Sequence, residues 1–228
     1  MQVHIYNPPS WPSAVHLKEA IEGHGHQAWI CNSVIAYTGI PCVCWGWPHQ
    51  GGTLNSKILG DKLIELKRLA VDVPVPPFTT SNFRVGEWIA RKRHHKNGND
   101  LLPGSQAEFW TLHVDTVKEY RVHVYKERVI RLGLKFTRDP NSHPWIRSWD
   151  NGWRVDYTTH STDVVSERVC DVAIAAIRAV GYDFGAVDVG VTAQGHPVVF
   201  EVNSAPGLMA STADLYADAI MRDLSSRL

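Results

Sequence analysis

The stretch FGAVDVGVTAQGHPVVFEVN, residues 184–203, constrains this chain more than any other. Two valine-rich runs flank the turn-forming AQGH, the pattern of antiparallel strands joined by a hairpin. If residues 193–196 form a four-residue loop, pairing holds the residue numbers to a constant sum, and Asp188 falls opposite Glu201. Directly opposed side chains have Cβ atoms ~4.5–5.5 Å apart, so two unpaired carboxylates there repel each other. The apolar neighbours Val187, Val189, Val198, Phe200 and Val202 make uncompensated acids still less favourable. A hard divalent cation bound by both acids resolves the conflict, and Asn203 joins the same face as a further oxygen donor. The plainer alternative is a solvated strand face that happens to carry two acids.

Composition narrows the classes around this motif. The 228 residues hold 23 basic and 23 acidic side chains, 44% hydrophobic and 20% charged residues, so a globular chain is expected, with room for one large or two small domains. Zero formal net charge and a pI near 7.2 argue against a surface that grips nucleic acid or an anionic membrane throughout. No window approaches the ~18 apolar residues of a membrane span. The N-terminal MQVHIYNPPSW lacks the basic-then-apolar pattern of a signal peptide, and the expected location is the cytoplasm. Cys31, Cys42, Cys44 and Cys170 lack the paired spacing of a structural zinc site and read as reduced thiols. The histidines include no H-E-x-x-H.

Periodicity gives an α/β (α+β) chain. Residues 3–6, 27–30 and 42–45 read as strands, and the helix between the first two carries Ala14, Leu17, Ala20 and Ile21 and ends at Gly23. This predicts a small N-terminal α/β layer, residues 1–57, followed by a larger unit, 58–228. The larger unit opens on a helix with Leu59, Leu63, Leu66 and Leu69 on one face, ended by Pro74, Pro76 and Pro77. EWIARKR, FWTLHV, EYRVHVY and RVIRLGLKF then predict antiparallel strands, and residues 138–153 a long anchored loop. A helix from Val165 to Val180, stopped by Gly181, precedes the hairpin; Leu215, Ile220 and Leu224 mark a last helix.

DVGV followed by FEVNSAPGL resembles the closing motif of the ATP-grasp superfamily. CWGW, LNSK, DKLIELKRLAVDVPVPPF, KEYRVHVYKERVI, LKF and DNGW extend the likeness, especially to RimK-like ligases and short phage and bacterial members. The resemblance implies antiparallel sheets flanking a nucleotide cleft, with ATP and Mg2+ (Mn2+ as an alternate ion) as cofactors. It implies that a carboxylate is activated as an acyl phosphate and joined to an amine, releasing ADP and phosphate, and that both partners are small molecules or peptides. Asp188, Glu201 and Asn203 take the metal positions. Lys62 takes a phosphate position, where the helix dipole favours an external anion, and Arg91 stands where many members have a second phosphate lysine. Gly98 lies in the phosphate-covering loop, HHKNGND, which is glycine-poor for the superfamily and also offers His95, Lys96 and Asn97. Thr111, Leu112, His113 and Val114 take the adenine hinge, and Asp115 the ribose position. Arg121, Lys135, Arg147 and Asn151 serve the phosphates or the acyl phosphate.

Two other classes stay open on sequence alone. The basic run of residues 91–96, with Trp145, Trp149 and Trp153, fits a nucleic-acid-directed protein. The poor glycine loop fits an ATP-binding module that does not ligate. Arg121 also has a bland reading, as a surface salt bridge to Glu119 or Glu127. A homo-oligomer is compatible with everything above. Neither G-x-x-x-x-G-K-[ST] nor G-x-G-x-x-G occurs, which disfavours P-loop and Rossmann chemistry.

Overall fold

The structure is a computed structural model and describes residues 1–33, 39–81, 86–94, 106–158 and 164–227. Its first layer is built from β1 (Gln2–Tyr6), α1 (Pro12–Gly23), β2 (Gln27–Cys31) and β3 (Cys42–Cys44), with parallel order β2-β1-β3. Pro12 opens α1, where the N–H it lacks would have no helical partner anyway. Ala14, Leu17, Ala20 and Ile21 bury one helix face as the periodicity predicts. That core is completed from the far end of the chain. Ala213, Tyr216, Ala217, Ile220 and Leu224 of α4 (Ala210–Ser225) pack into the cluster holding Val3, Ile5, Leu17 and Trp45.

A second, three-stranded sheet has the antiparallel order β4-β6-β5, from β4 (Phe78–Thr79), β5 (Trp88–Arg91) and β6 (Phe109–Leu112). Before it lies α2 (Lys62–Asp72), capped by Asp61, whose carboxylate accepts from the N–H groups of Leu63 and Ile64 at 2.9 and 3.1 Å. Leu59 therefore precedes the helix.

The largest sheet has the order β11-β10-β7-β8-β9, all antiparallel: β7 (Lys118–Tyr125), β8 (Arg128–Thr137), β9 (Trp153–Asp156), β10 (Phe184–Val191) and β11 (Pro197–Asn203). One face is apolar. Val122, Val124, Val187, Val189 and Val191 pack with Val169, Ala173, Ala176 and Ile177 of α3 (Val164–Val180). Each such valine or isoleucine stabilises by ~1.5–3 kcal/mol when fully buried. Gly181, at φ 76°, ends α3 and lets the N–H of Tyr182 reach the Ile177 carbonyl. Asn55, from LNSK, ties the first layer to this sheet: its Oδ1 accepts from the Asp183 and Phe184 N–H groups, and its amide donates to the Phe184 carbonyl. β4 and β9 are additions to the sequence reading. Both are short, β4 directly after Pro76 and Pro77 and β9 at the end of the long loop, and alternation over two to four residues is too brief to register.

Candidate active site

Asp188 does pair with Glu201, but not through the expected turn. The loop is three residues, 193–195, closed by Thr192 N–H to the His196 carbonyl at 3.0 Å, with Gly195 at φ 78°. Val191 pairs with Pro197 and Val189 with Val199, and a β-bulge at Phe200 then shifts the register. The shorter loop and the extra residue cancel. The bulge also re-aims side chains, so that consecutive residues Phe200 and Glu201 both line one cleft. Gly190 makes room for this, since a Cβ there would lie 2.5 Å from the Phe200 ring and 2.6 Å from Thr116.

The sheet face opposite α3 is a grid of polar groups set by register. One cross-strand row runs Glu201, Asp188, Arg121, Gly133; the next runs Asn203, Ala186, His123, Arg131. Arg121 grips Asp188 with two parallel bonds, Nε to Oδ1 and Nη2 to Oδ2, both 2.8 Å. Lys135 donates to the same carboxylate at 2.8 Å and also pairs with Glu119, which Arg147 meets at 3.5 Å. Burial opposes the Asp188 charge, but Arg121 and Lys135 outweigh it and hold the carboxyl well below the usual carboxylate range. The positive charge that the sequence argument required at Asp188 is thus supplied in part by the chain itself, through Arg121 and Lys135. The grip on Asp188 also replaces the expected Arg121 pairings: Glu119 belongs to Lys135 and Arg147, and Glu127 to Arg178.

Behind the ion pairs lies a hydrogen-bonded chain of fixed polarity. The Tyr216 hydroxyl donates to the Gly185 carbonyl at 2.9 Å and so accepts from His123 Nδ1–H at 3.1 Å. His123 Nε2 then accepts from the Tyr157 hydroxyl at 2.8 Å. Burial, with Arg121 nearby, depresses the His123 pKa to about 3, so the imidazole is neutral. A Cβ on Gly133 would collide with Val155 and the Tyr157 ring, which makes that glycine the seat for Tyr157.

Between the large sheet and the three-stranded sheet, the cleft is lined by Lys62, Glu65, Arg91, Thr111, Phe200 and Glu201 among others. Lys62, in the first turn of α2, meets Glu65 at 3.2 Å and the Val202 carbonyl at 3.4 Å. Its position against the helix dipole thus has a compensation inside the chain, one turn on. Burial works against its charge, yet Glu65 and Glu201 hold the ammonium above the ordinary lysine range. Arg91 differs. Its Nε donates to the Thr111 hydroxyl at 3.2 Å, and among the described residues it makes no ion pair. Burial lowers its pKa, opposed by Glu201 and Glu119.

The remaining expected residues scatter. Gly98, with His95, Lys96 and Asn97, lies outside the described residues. At the hinge, Thr111 is buried, and the N–H groups of Leu112 and His113 donate to the Pro77 and Glu87 carbonyls. His113 stacks on Trp145 at 4.4 Å, Val114 follows it, and the fully exposed Asp115 reaches toward His113. Asn151 donates to Ser148 within its own 3-10 turn and joins neither Arg121 nor Lys135 through its side chain. Of the basic run, Arg91 turns into the cleft, Arg93 binds Asp61 and His94 meets the Gly60 carbonyl, so these residues present no common strip. Trp145 and Trp149 are exposed rather than packed under the loop, and Arg154 covers Trp149 at 3.5 Å. Glu65, His123, Arg131, Tyr157 and Tyr216 were not singled out from sequence. Only Glu65 left a local signal, three residues after Lys62 on a predicted helix.

Two sheets meeting at a cleft, one presenting a face of paired charges and the other a half-buried guanidinium, match the architecture of the ATP-grasp class. Residues 91–218 match the profile of an ATP-grasp domain family, the second of its clade, and the chain belongs to that family. Solved structures extend the likeness over nearly the whole chain. D-cycloserine synthetase DcsG superposes with a TM-score of 0.68 at 16% identity, covering 98% of this chain and 100% of that one. The ATP-grasp ligase PsnB, in complex with a minimal precursor, Mg and ADP, gives 0.67 at 14% identity, covering 98% of each chain. A RimK-domain ATP-grasp protein from Sphaerobacter thermophilus gives 0.63 at 14%, covering 97% of this chain and 100% of that one. At such identities the likeness is one of fold. No curated protein sequence matches. Among the described residues no helix is long and apolar enough to cross a membrane.

Proposed function

We propose that this protein is an ATP-dependent ligase that activates a carboxylate as an acyl phosphate and joins it to an amine. The observation that carries the reading is Arg91, a cation held in the cleft by a neutral threonine hydroxyl with no described acid partner. A half-buried cation lining a cleft without an ion-pair partner of its own suits an incoming anion. Lys62 lies on the same cleft wall, and the pair suits a polyphosphate. A substrate carboxylate oxygen attacks the γ-phosphorus, ADP departs, and the amine nitrogen then attacks the acyl carbon, losing a proton as phosphate leaves. No side-chain nucleophile takes part; the chain binds, orients and neutralises.

Magnesium fits the donors in type. Among the described residues no three Asp, Glu, His or Cys side chains cluster as a ready metal site. Glu201 and Asn203 nevertheless share one face of β11, and Asp188, with about four lone-pair sites, has three filled by Arg121 and Lys135. Glu201, Asn203 and the remaining lone pair of Asp188 would hold the ion, which would offset the negative charge of the phosphates. Residues 58–228 would carry the ATP chemistry and the layer of residues 1–57 would border the substrates. Four free cysteines and ATP dependence suit the cytoplasm.

The test is turnover on pooled small carboxylates and peptides with hydroxylamine as the amine. ADP and phosphate should appear together with a hydroxamate, and oxygen-18 from the carboxylate should enter the phosphate. Glu201→Gln should keep the fold and lose turnover. AMP as the stoichiometric product would refute the reading, and label-free phosphate would reduce it to a hydrolase.

A further inference from the structure

Two backbone sites in this chain receive the same service by different means. At Phe184 one neutral side chain, Asn55, accepts from the N–H and donates to the C=O. At Val202 on β11, the edge strand of the large sheet, a pair of opposite charges does that work. The Val202 N–H donates to Glu65 Oε1 at 3.2 Å, and its C=O accepts from Lys62 Nζ at 3.4 Å. Covering an edge needs no charge, and a buried ion pair gains little over a neutral side chain in that role. The charges at Val202 therefore serve something besides the edge.

Their setting says what. Val202 lies between Glu201 and Asn203, and Lys62, Glu65, Arg91 and Glu201 line one cleft. Glu65 is buried, whereas the Lys62 side chain keeps 22% of its surface open. Nζ meets Glu65 Oε1 at 3.2 Å, longer than the ~2.7–2.9 Å of a tight charge-assisted bond. Among the described residues the third hydrogen of the ammonium has no acceptor. A lysine held by two long bonds, with a donor left over, exchanges partners at little cost. When it turns to another anion, Glu65 keeps the Val202 N–H, so neither the acid nor the edge is stranded.

We propose that Glu65 is a resident counter-anion that parks Lys62 when no phosphate is bound and competes with the nucleotide phosphates for it. This rests on the ligase reading and adds a brake on its nucleotide site. A phosphate that takes Lys62 first displaces Glu65, and Glu65 reclaims the lysine as ADP leaves.

The experiment titrates the full chain and its Glu65→Gln variant, both with magnesium, with ADP and with adenosine. Glutamine keeps an oxygen for the Val202 N–H and removes only the charge, so cooperative melting should change little. ADP should bind Glu65→Gln about ten-fold more tightly than the wild type, with most of the gain appearing as slower ADP release. Adenosine carries no phosphate and should bind both chains alike, whereas a general loosening of the cleft would move both ligands together. Glu65→Asp keeps the charge but falls one methylene short of Lys62. It should tighten ADP by about three-fold, and it decides the point if the glutamine variant fails to fold. ADP affinity that is unchanged or weaker in Glu65→Gln, a change shared by adenosine, or no ADP binding by the wild type would overturn the assignment. Weaker binding in particular would mean that Glu65 holds Lys62 ready for phosphate instead of competing for it. Hydroxamate formation reports on the ligase reading separately. Its absence from a wild type that binds ADP counts against that reading, while the ratio of ADP affinities still decides Glu65.

Discussion

Val187, Val189 and Val191 point from β10 into hydrocarbon against α3, whereas Ala186, Asp188 and Gly190 of the same strand face arginines, a lysine and acids. All eight residues of β10 are buried. On the valine face each side chain contributes nearly independently, through area and packing. On the other face every charge depends on its neighbour, and removing one strands the rest. A buried face made this way is a poor route to stability and a good way to hold charges in fixed positions.

Asp188→Asn should be the most damaging single change, by about 3–5 kcal/mol in urea unfolding, because Arg121 and Lys135 are left buried against a neutral amide. A loss under about 1 kcal/mol would mean that water or nearby acids already compensate these cations, and the contrast between the faces would fail.

Acid should come next, through His123. Its pKa is about 3 in the fold against 6.5 unfolded, depressed by burial and by Arg121 and Arg131, with Asp188 opposing. The folded pKa is the lower one, so its contribution is complete above the unfolded value and falls away as pH drops from there toward 3. Between pH 7 and pH 4 roughly 3 kcal/mol should be lost. Asp188, also depressed, gives up its own contribution only at lower pH. His123→Gln should flatten the slope over that interval, and an unchanged slope would remove His123 from the account.

Val189→Ala should have the smallest effect, about 2 kcal/mol with no pH dependence, from lost transfer energy and a small cavity. Turnover should survive it. Melting curves at two pH values check both parts, and a loss as large as that of Asp188→Asn would erase the distinction between the faces.

The valine face was readable from the sequence because alternation is a local signal: β7, β10, β11 and α3 all lie where periodicity puts them. The charged face was readable only as types. Arg121 and Asp188 are 67 residues apart, and nothing in either segment says that β7 lies beside β10. The need for positive charge at Asp188 was sound, but its source, Lys135 and Arg121, required the strand order. The bulge was invisible for another reason. Val198, Val199 and Phe200 are all apolar, so sliding one residue changes no pattern of polarity. Arg131 gave no signal at all, since its partners Ser211 and Thr212 lie on a helix that returns from the end of the chain.

The extra residue at Phe200 has a practical side for anyone building on this protein. It divides the hairpin into two separately registered lengths of ladder, one holding the acids and the other ending in the loop of residues 193–195. The exposed tip is thus the natural splice point for a dye or an affinity tag, on one arm of the site yet beyond the register shift.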